Sequence, residues 1–396
     1  MLIDSHSRMR RALCIALCAT VLTVAATGCG DAGGSSTSAR PGSSATADAS
    51  MDKATTAKLD SVIAAAIQQT GIPGAIVGIW GPNGTYTSAT GVADTATGAP
   101  MKADFHSRIG SVTKTFTVTA LLQLVDDGKI GLDDPISKYV NGVTDGDRIT
   151  LRQLAGMRSG LPDYTTSEQF ATDYLADPKG GFTPEQLFAY IKDEPLKFTP
   201  GTEVDYSNTN TILLGLVVEK VTGDSLPNVI DAKILRPLGM DSTNFPTTNA
   251  FPEPHAQGYT NQTKDGTIAV ATDWNPSWGW AAGAMISTLD DLRIWAPALA
   301  KGDLLHADTQ QQRLQTVALT EGQEDAGYGL GLFNIEGWIG HNGSLPGYKS
   351  VAVYLPERDL TMVVLVNSDV EGDNTDLAGA LVTPITEVIS PDHIYG

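Results

Sequence analysis

Strand-forming runs stand at both ends of this chain and are scarce between them. Ala75 to Trp80 and Thr85 to Val92 are joined by the turn Gly81-Pro82-Asn83-Gly84 and read as a hairpin. Trp338 to Gly343, Tyr348 to Leu355 and Leu360 to Asn367 read as three more strands, with Pro356-Glu357-Arg358-Asp359 turning between the last two. Helical spacing dominates elsewhere: about 53 to 69, Thr113 to Asp127, Leu151 to Met157, Pro184 to Ile191, Ile212 to Val221 and Thr375 to Ile389. Ser287-Thr288-Leu289-Asp290 reads as a capping box opening a helix to about Ala300. Two sets of strands so far apart in sequence bury their apolar faces most economically as one sheet. The expected fold class is therefore α/β, in the α+β sense. An antiparallel sheet from 53–110 and 282–396 is flanked by N- and C-terminal helices, with a mostly helical insertion over 125–281 as an all-α subdomain.

The first residues obey a different pattern. Arg8, Arg10 and Arg11 precede the apolar run Ala12 to Ala26, which is short for a bilayer span, so 1–28 read as a secretory signal peptide. Cys29 directly after Gly28 resembles a bacterial lipobox. Lipidation there would anchor an exported protein on the outer face of the cytoplasmic membrane, whereas ordinary signal cleavage nearby would leave it secreted. Residues 29–52 are rich in Gly, Ser, Ala and Thr and read as a flexible tether to a body starting at 53. Cys14, Cys18 and Cys29 are the three cysteines, so no disulfide is expected in that body. A formal net charge of −19 argues against nucleic acid and against anionic membrane surfaces as partners. Membrane contact is expected only through Cys29. The sequence offers no metal-ligand cluster and no phosphate loop, so neither a metal nor a cofactor is expected. It does not set an oligomeric state.

Three short elements carry chemistry. Ser111-Val112-Thr113-Lys114 follows Gly110 and opens an apolar helix, and positions three apart share a helical face. A lysine amine beside a serine hydroxyl can take its proton once burial lowers the amine's pKa. Tyr206-Ser207-Asn208 supplies a phenol for acid–base work and an amide able to orient Lys114 or bond a substrate amide. His341-Asn342-Gly343 ends a strand whose edge can pair with an extended substrate. His341 can bind a carboxylate or pass a proton, and the N–H groups of Ser344 and Ser111 can form an oxyanion hole. Single matches are weak. Ser50 and Lys53, Tyr139 and Asn141, and Tyr259 and Asn261 repeat the first two spacings and read as coincidence. The tryptophans Trp274, Trp278 and Trp280 read either as an apolar pocket wall or as packing between the two regions.

In chain order and context, these elements resemble the serine penicillin-recognising enzymes, in the class C β-lactamase and D-alanyl-D-alanine carboxypeptidase branch. The stretches that carry the resemblance are 108–117, 204–210 and 340–348, with 153–162 and 282–288 as further matches. It spans about 55 to 390 and implies a β-lactamase/transpeptidase-like fold with the site between sheet and helical subdomain. It also implies roles: Ser111 as acylated nucleophile, Lys114 as the group easing its deprotonation, and Tyr206 as general base and acid. Asn208, His341, Asn342, Gly343 and Ser344 would bind substrate. Two departures stand out. His341 occupies a position where many members carry Lys, and no Lys or Arg lies between Gly327 and Gly340. The expected activity is D-alanyl-D-alanine carboxypeptidase-like hydrolysis of peptidoglycan peptides. The alternatives are an esterase, another amidase or peptidase, or a weak β-lactamase on the same site, and a non-catalytic β-lactam- or peptidoglycan-binding lipoprotein. The expected partner is a small peptide, β-lactam or ester substrate.

Overall fold

A computed structural model describes residues 49–320, 322–323, 325–370 and 377–396. The expected signal peptide, Cys29 and most of the expected tether lie outside the described residues. The folded body begins before residue 53. Ser50 bridges Thr85, the Met51 N–H donates to the Thr85 carbonyl at 3.0 Å, and the Met51 side chain is buried. Asp52 caps the first helix by accepting from the Ala54 and Thr55 N–H groups. The expected tether end at residue 52 therefore falls inside the body.

The sheet is antiparallel and contains nine strands among the described residues. These are β1 (Gly74–Gly81), β2 (Gly84–Asp94), β3 (Ala99–Pro100), β4 (Val317–Ala318), β5 (Ala326–Tyr328), β6 (Phe333–Ile335), β7 (Trp338–Leu345), β8 (Tyr348–Leu355) and β9 (Leu360–Val366). Their order is β3-β2-β1-β9-β8-β7-β6-β5-β4, so the two ends of the chain meet where β1 pairs with β9. β9 lies inside the sheet and is buried on both faces, which accounts for its run Leu-Thr-Met-Val-Val-Leu-Val, apolar but for Thr361. Along β1 the faces alternate. Val77 and Ile79 pack under α1 (Lys53–Thr70) and the C-terminal helix Leu377–Ile389, while Ile76 and Trp80 join the larger core on the other side.

That larger core surrounds α2 (Thr113–Asp126), whose residues Thr113 to Leu122 are all buried. A helix buried all round must satisfy its polar side chains internally. Thr115 and Thr119 donate back to the Val112 and Thr115 carbonyls, and Thr117 donates to the Ala281 carbonyl at 2.7 Å. The middle of the chain supplies α3 (Leu151–Ala155), α4 (Glu168–Ala176), α5 (Pro184–Ala189) and α6 (Asn208–Thr222), then α7 (Leu289–Lys301) returns toward the sheet. The cap of α7 is Thr288, whose hydroxyl accepts from the Asp291 N–H. Ser287, the expected cap, instead pairs in a two-residue ladder with Ser107 and shares a hydrogen bond with Thr243. The short strands β4, β5 and β6 and the helix α4 lack a sequence signal strong enough to mark them.

Candidate active site

The segment carrying Ser111 is pressed against β7. Ser350 donates to the Ile109 carbonyl at 2.8 Å, and Gly110 turns in the left-handed region with φ 48°. A Cβ on Gly110 would stand 2.5 Å from the Ser344 amide nitrogen, and one on Gly343 would stand 2.0 Å from the Ile109 carbonyl oxygen. Glycine at both positions is what allows the two backbones to touch. Gly110–Val112 forms a 3₁₀ turn that runs into α2. Ser111 stands on that turn and Lys114 three residues on in the first turn of α2, so both side chains share one face.

The Lys114 amine is fully buried and meets three oxygens: Ser111 Oγ at 2.9 Å, Asn208 Oδ1 at 2.7 Å and the Ala282 carbonyl at 2.8 Å. It also lies 4.9 Å from the centre of the Tyr206 ring. Burial pushes its pKa down to about 7, and the Asp163 carboxylate opposes part of that fall. A large share of the molecules therefore holds a free amine near neutral pH. Tyr206 and Ser111 share a hydrogen bond, and burial pushes the Tyr206 phenol well above its ordinary range. Between these two groups, the phenol keeps its proton and the amine gives one up.

Asn208 begins α6 just after Tyr206. Its Oδ1 accepts from Lys114, while its Nδ2 and backbone N–H donate to Asp163 Oδ2 at 2.9 and 3.2 Å. The amide orientation is dictated chemically, since an ammonium only donates and a carboxylate only accepts. Of the two contacts expected of Asn208, the bond to Lys114 is made. The other end of the amide faces Asp163.

β6 pairs with β7 only as far as Gly340, and residues 339–345 pair with β8 on the other side. Beyond Gly340 the β6 side of the strand is an edge lying beside Ser111. Asn342 and Ser344 are exposed on it, and Gly343 packs under the Ile109 carbonyl. His341 corrects the sequence expectation. Its side chain is wholly buried, with Nδ1 2.5 Å from the Asn342 carbonyl and Nε2 3.2 Å from the Tyr328 hydroxyl. A carbonyl cannot donate, so Nδ1 carries the hydrogen and Nε2 accepts from Tyr328. Burial, with the Lys114 charge adding to it, pushes the imidazole down to about 3. His341 is thus a neutral ring whose two nitrogens both face protein groups. It packs 4.5 Å from the Phe333 ring, in the cluster that holds Tyr206, and offers no cation to a carboxylate.

Ser111, Lys114, Tyr206 and Asn208 thus converge on one point beside the β7 edge, and the beta-lactamase family model matches residues 59–383. The chain belongs to the beta-lactamase family. It is a member of a family of serine hydrolases with a mixed α/β fold, and the resemblance to the serine penicillin-recognising enzymes holds. Protein flp of Staphylococcus aureus is 30% identical over 324 residues, which cover 79% of this chain and 63% of that protein. A D-aminopeptidase of Brucella anthropi is 31% identical over 304 residues, covering 74% of this chain and 55% of that protein. The chain therefore spans 63% and 55% of the length of these two relatives. A D-stereospecific amidohydrolase from Streptomyces sp. shares the fold with a TM-score of 0.77 at 32% identity, over 85% of this chain and 99% of that one.

In this beta-lactamase-family site, three groups escaped the sequence reading. Asp163 follows directly on the matched stretch 153–162, and Ala282, whose carbonyl holds Lys114, opens the stretch 282–288. Both sat at the edge of a recognised segment. Tyr328 had no such signal. The repeated spacings separate cleanly from the site. Ser50 and Lys53 are exposed at the start of the body. Tyr139 bonds Asp134, and the Tyr259 hydroxyl accepts from the Thr95 N–H. Trp274 and Trp278 pack against Tyr174, and Trp278 also against Phe170, while a Cβ on Gly215 of α6 would meet the Trp280 ring. These contacts favour packing for all three tryptophans.

Proposed function

We propose that this protein hydrolyses amide and ester bonds of D-configured amino-acid derivatives or short peptides through an acyl-enzyme on Ser111. The observation that carries the chemistry is the buried Lys114 amine 2.9 Å from Ser111 Oγ, with its pKa lowered toward neutrality. In its free-base form the amine accepts the Ser111 proton as Oγ attacks the substrate carbonyl. The N–H groups of Ser111 and Ser344 face the developing oxyanion. Tyr206 gives its proton to the departing amine or alkoxide and recovers one from Lys114. A water molecule then attacks the ester, losing its proton to the same Tyr206–Lys114 pair, and Ser111 Oγ leaves reprotonated.

Substrate class rests on two supports. The related proteins named for D-aminopeptidase and D-stereospecific amidohydrolase activity suggest the D-configuration. His341 supports a substrate without a terminal carboxylate near the β7 edge, because a buried neutral imidazole has no charge to pair with one. The carboxypeptidase expectation is weaker for the same reason, reinforced by the lack of Lys or Arg between Gly327 and Gly340. The test is a side-by-side panel: D- and L-phenylalanine amides, a p-nitrophenyl ester, a D-Ala-D-Ala peptide and nitrocefin. The D-amide is expected to outrun its L-isomer and the D-Ala-D-Ala peptide by about tenfold or more, the scale of one well-made contact. Release of D-Ala from the peptide faster than ammonia from the D-amide would overturn the proposal in favour of a carboxypeptidase.

A further inference from the structure

Asp163 has no part in the steps above, yet its carboxylate is tied to the reacting pair through one residue. It is 6% exposed and lies in the loop between α3 and α4. Oδ2 accepts both Asn208 donors, and Oδ1 accepts from the Thr165 N–H at 3.0 Å. Asn208 Oδ1 in turn accepts from Lys114 at 2.7 Å. An unrestrained amide could turn over and place its Nδ2 against the protonated amine, two donors facing each other.

We propose that Asp163 is a positioning residue for the Ser111–Lys114 pair, its carboxylate gripping Asn208 by two hydrogen bonds so that Oδ1 always faces the amine. This inference rests on the hydrolase reading of the Ser111 site. Its charge acts on the amine as well. The groups around Lys114 are Ser111 on its own turn, Tyr206 and Asn208 at the start of α6, the Ala282 carbonyl and His341 on β7. Tyr164, adjacent to Asp163 in the chain, is buried with its hydroxyl donating to the Trp278 carbonyl. Near neutral pH Tyr206 and Tyr164 keep their protons and His341 is uncharged. The Asp163 carboxylate is the group whose charge favours the protonated amine.

The sign follows. Removing that charge makes Lys114 release its proton at lower pH, so the acid limb of activity moves down. Asp163→Asn is expected to shift the acid limb of kcat/KM for a p-nitrophenyl ester about one pH unit lower and to lower the plateau about tenfold as the amide loses its grip. Asp163→Glu keeps the charge and is expected to lose plateau rate with the limb in place. Should Asp163→Asn not fold, Asp163→Ser carries the same expected shift. A [13C]lysine NMR titration of Lys114 in wild type and variant reads the amine without turnover. If wild type does not hydrolyse esters but the Lys114 midpoint still moves down on removing Asp163, the hydrolase reading fails and the positioning role stands. A midpoint and acid limb that stay in place, or move up, overturn the role of Asp163, whatever the plateau does.

Discussion

Lys114→Met is expected to lower kcat/KM for ester hydrolysis about a thousandfold, the scale of lost general-base catalysis. Met matches the length of the side chain and fills the same buried volume, so the fold is kept while the proton acceptor is removed. The effect is largest on the alkaline side of neutrality. The amine's pKa is lowered to about 7, so the wild-type rate should rise with pH through that value as Lys114 becomes the free base. The variant should show a low, flat profile over the same window. Steady-state rates across that window check both features. A variant keeping the wild-type profile would mean that another group takes the Ser111 proton.

Gly343→Ala is the second large effect. A Cβ there would meet backbone, the Ile109 carbonyl oxygen at 2.0 Å and carbon at 2.9 Å, and not the yielding end of a long side chain. β7 must then move away from the Ser111 segment. The Ser344 N–H moves with it, out of reach of the oxyanion. Loss of one such donor is worth about a hundredfold to a thousandfold in kcat. Gly181→Ala is the control, since its new methyl would meet only side-chain atoms at 3.5 Å and beyond, in ordinary contact. Its rate should stay near wild type. Equal, mild losses in both variants would mean that the close contact between β7 and the Ser111 turn does not hold the oxyanion donor in place.

Much of the frame was legible because the sequence periods are clear. The hairpin of β1 and β2 and the meander of β7, β8 and β9 lie within a residue or two of their expected spans. Each is long, apolar and bounded by turns. The strands β5 and β6 are three residues each, β6 held by pairing to β7 and β5 by pairing to β6, and not by any pattern of their own. Ser111 and Lys114 were legible as a spacing and Tyr206 as part of a motif. Their convergence was not, because it depends on α2 and α6 crossing in the core. His341 shows the limit most clearly. Its identity suggested charge or proton transfer, but the decisive fact is burial against Phe333 and Tyr328, residues eight and thirteen positions before it in the chain. Asp163 shows the converse: a carboxylate of ordinary appearance joins the site only because Asn208 donates to it twice and Thr209 holds the neighbouring Pro162 carbonyl.

In the proposed reaction Ser111 becomes acylated, and acid-quenched turnover of a p-nitrophenyl ester followed by intact-mass measurement and peptide mapping tests this directly. A mass increase equal to the acyl group is expected, mapped to the peptide containing Ser111 and absent from Ser111→Ala, which should also lose hydrolysis. An adduct that persists in Ser111→Ala, or hydrolysis that continues undiminished without Ser111, would contradict it.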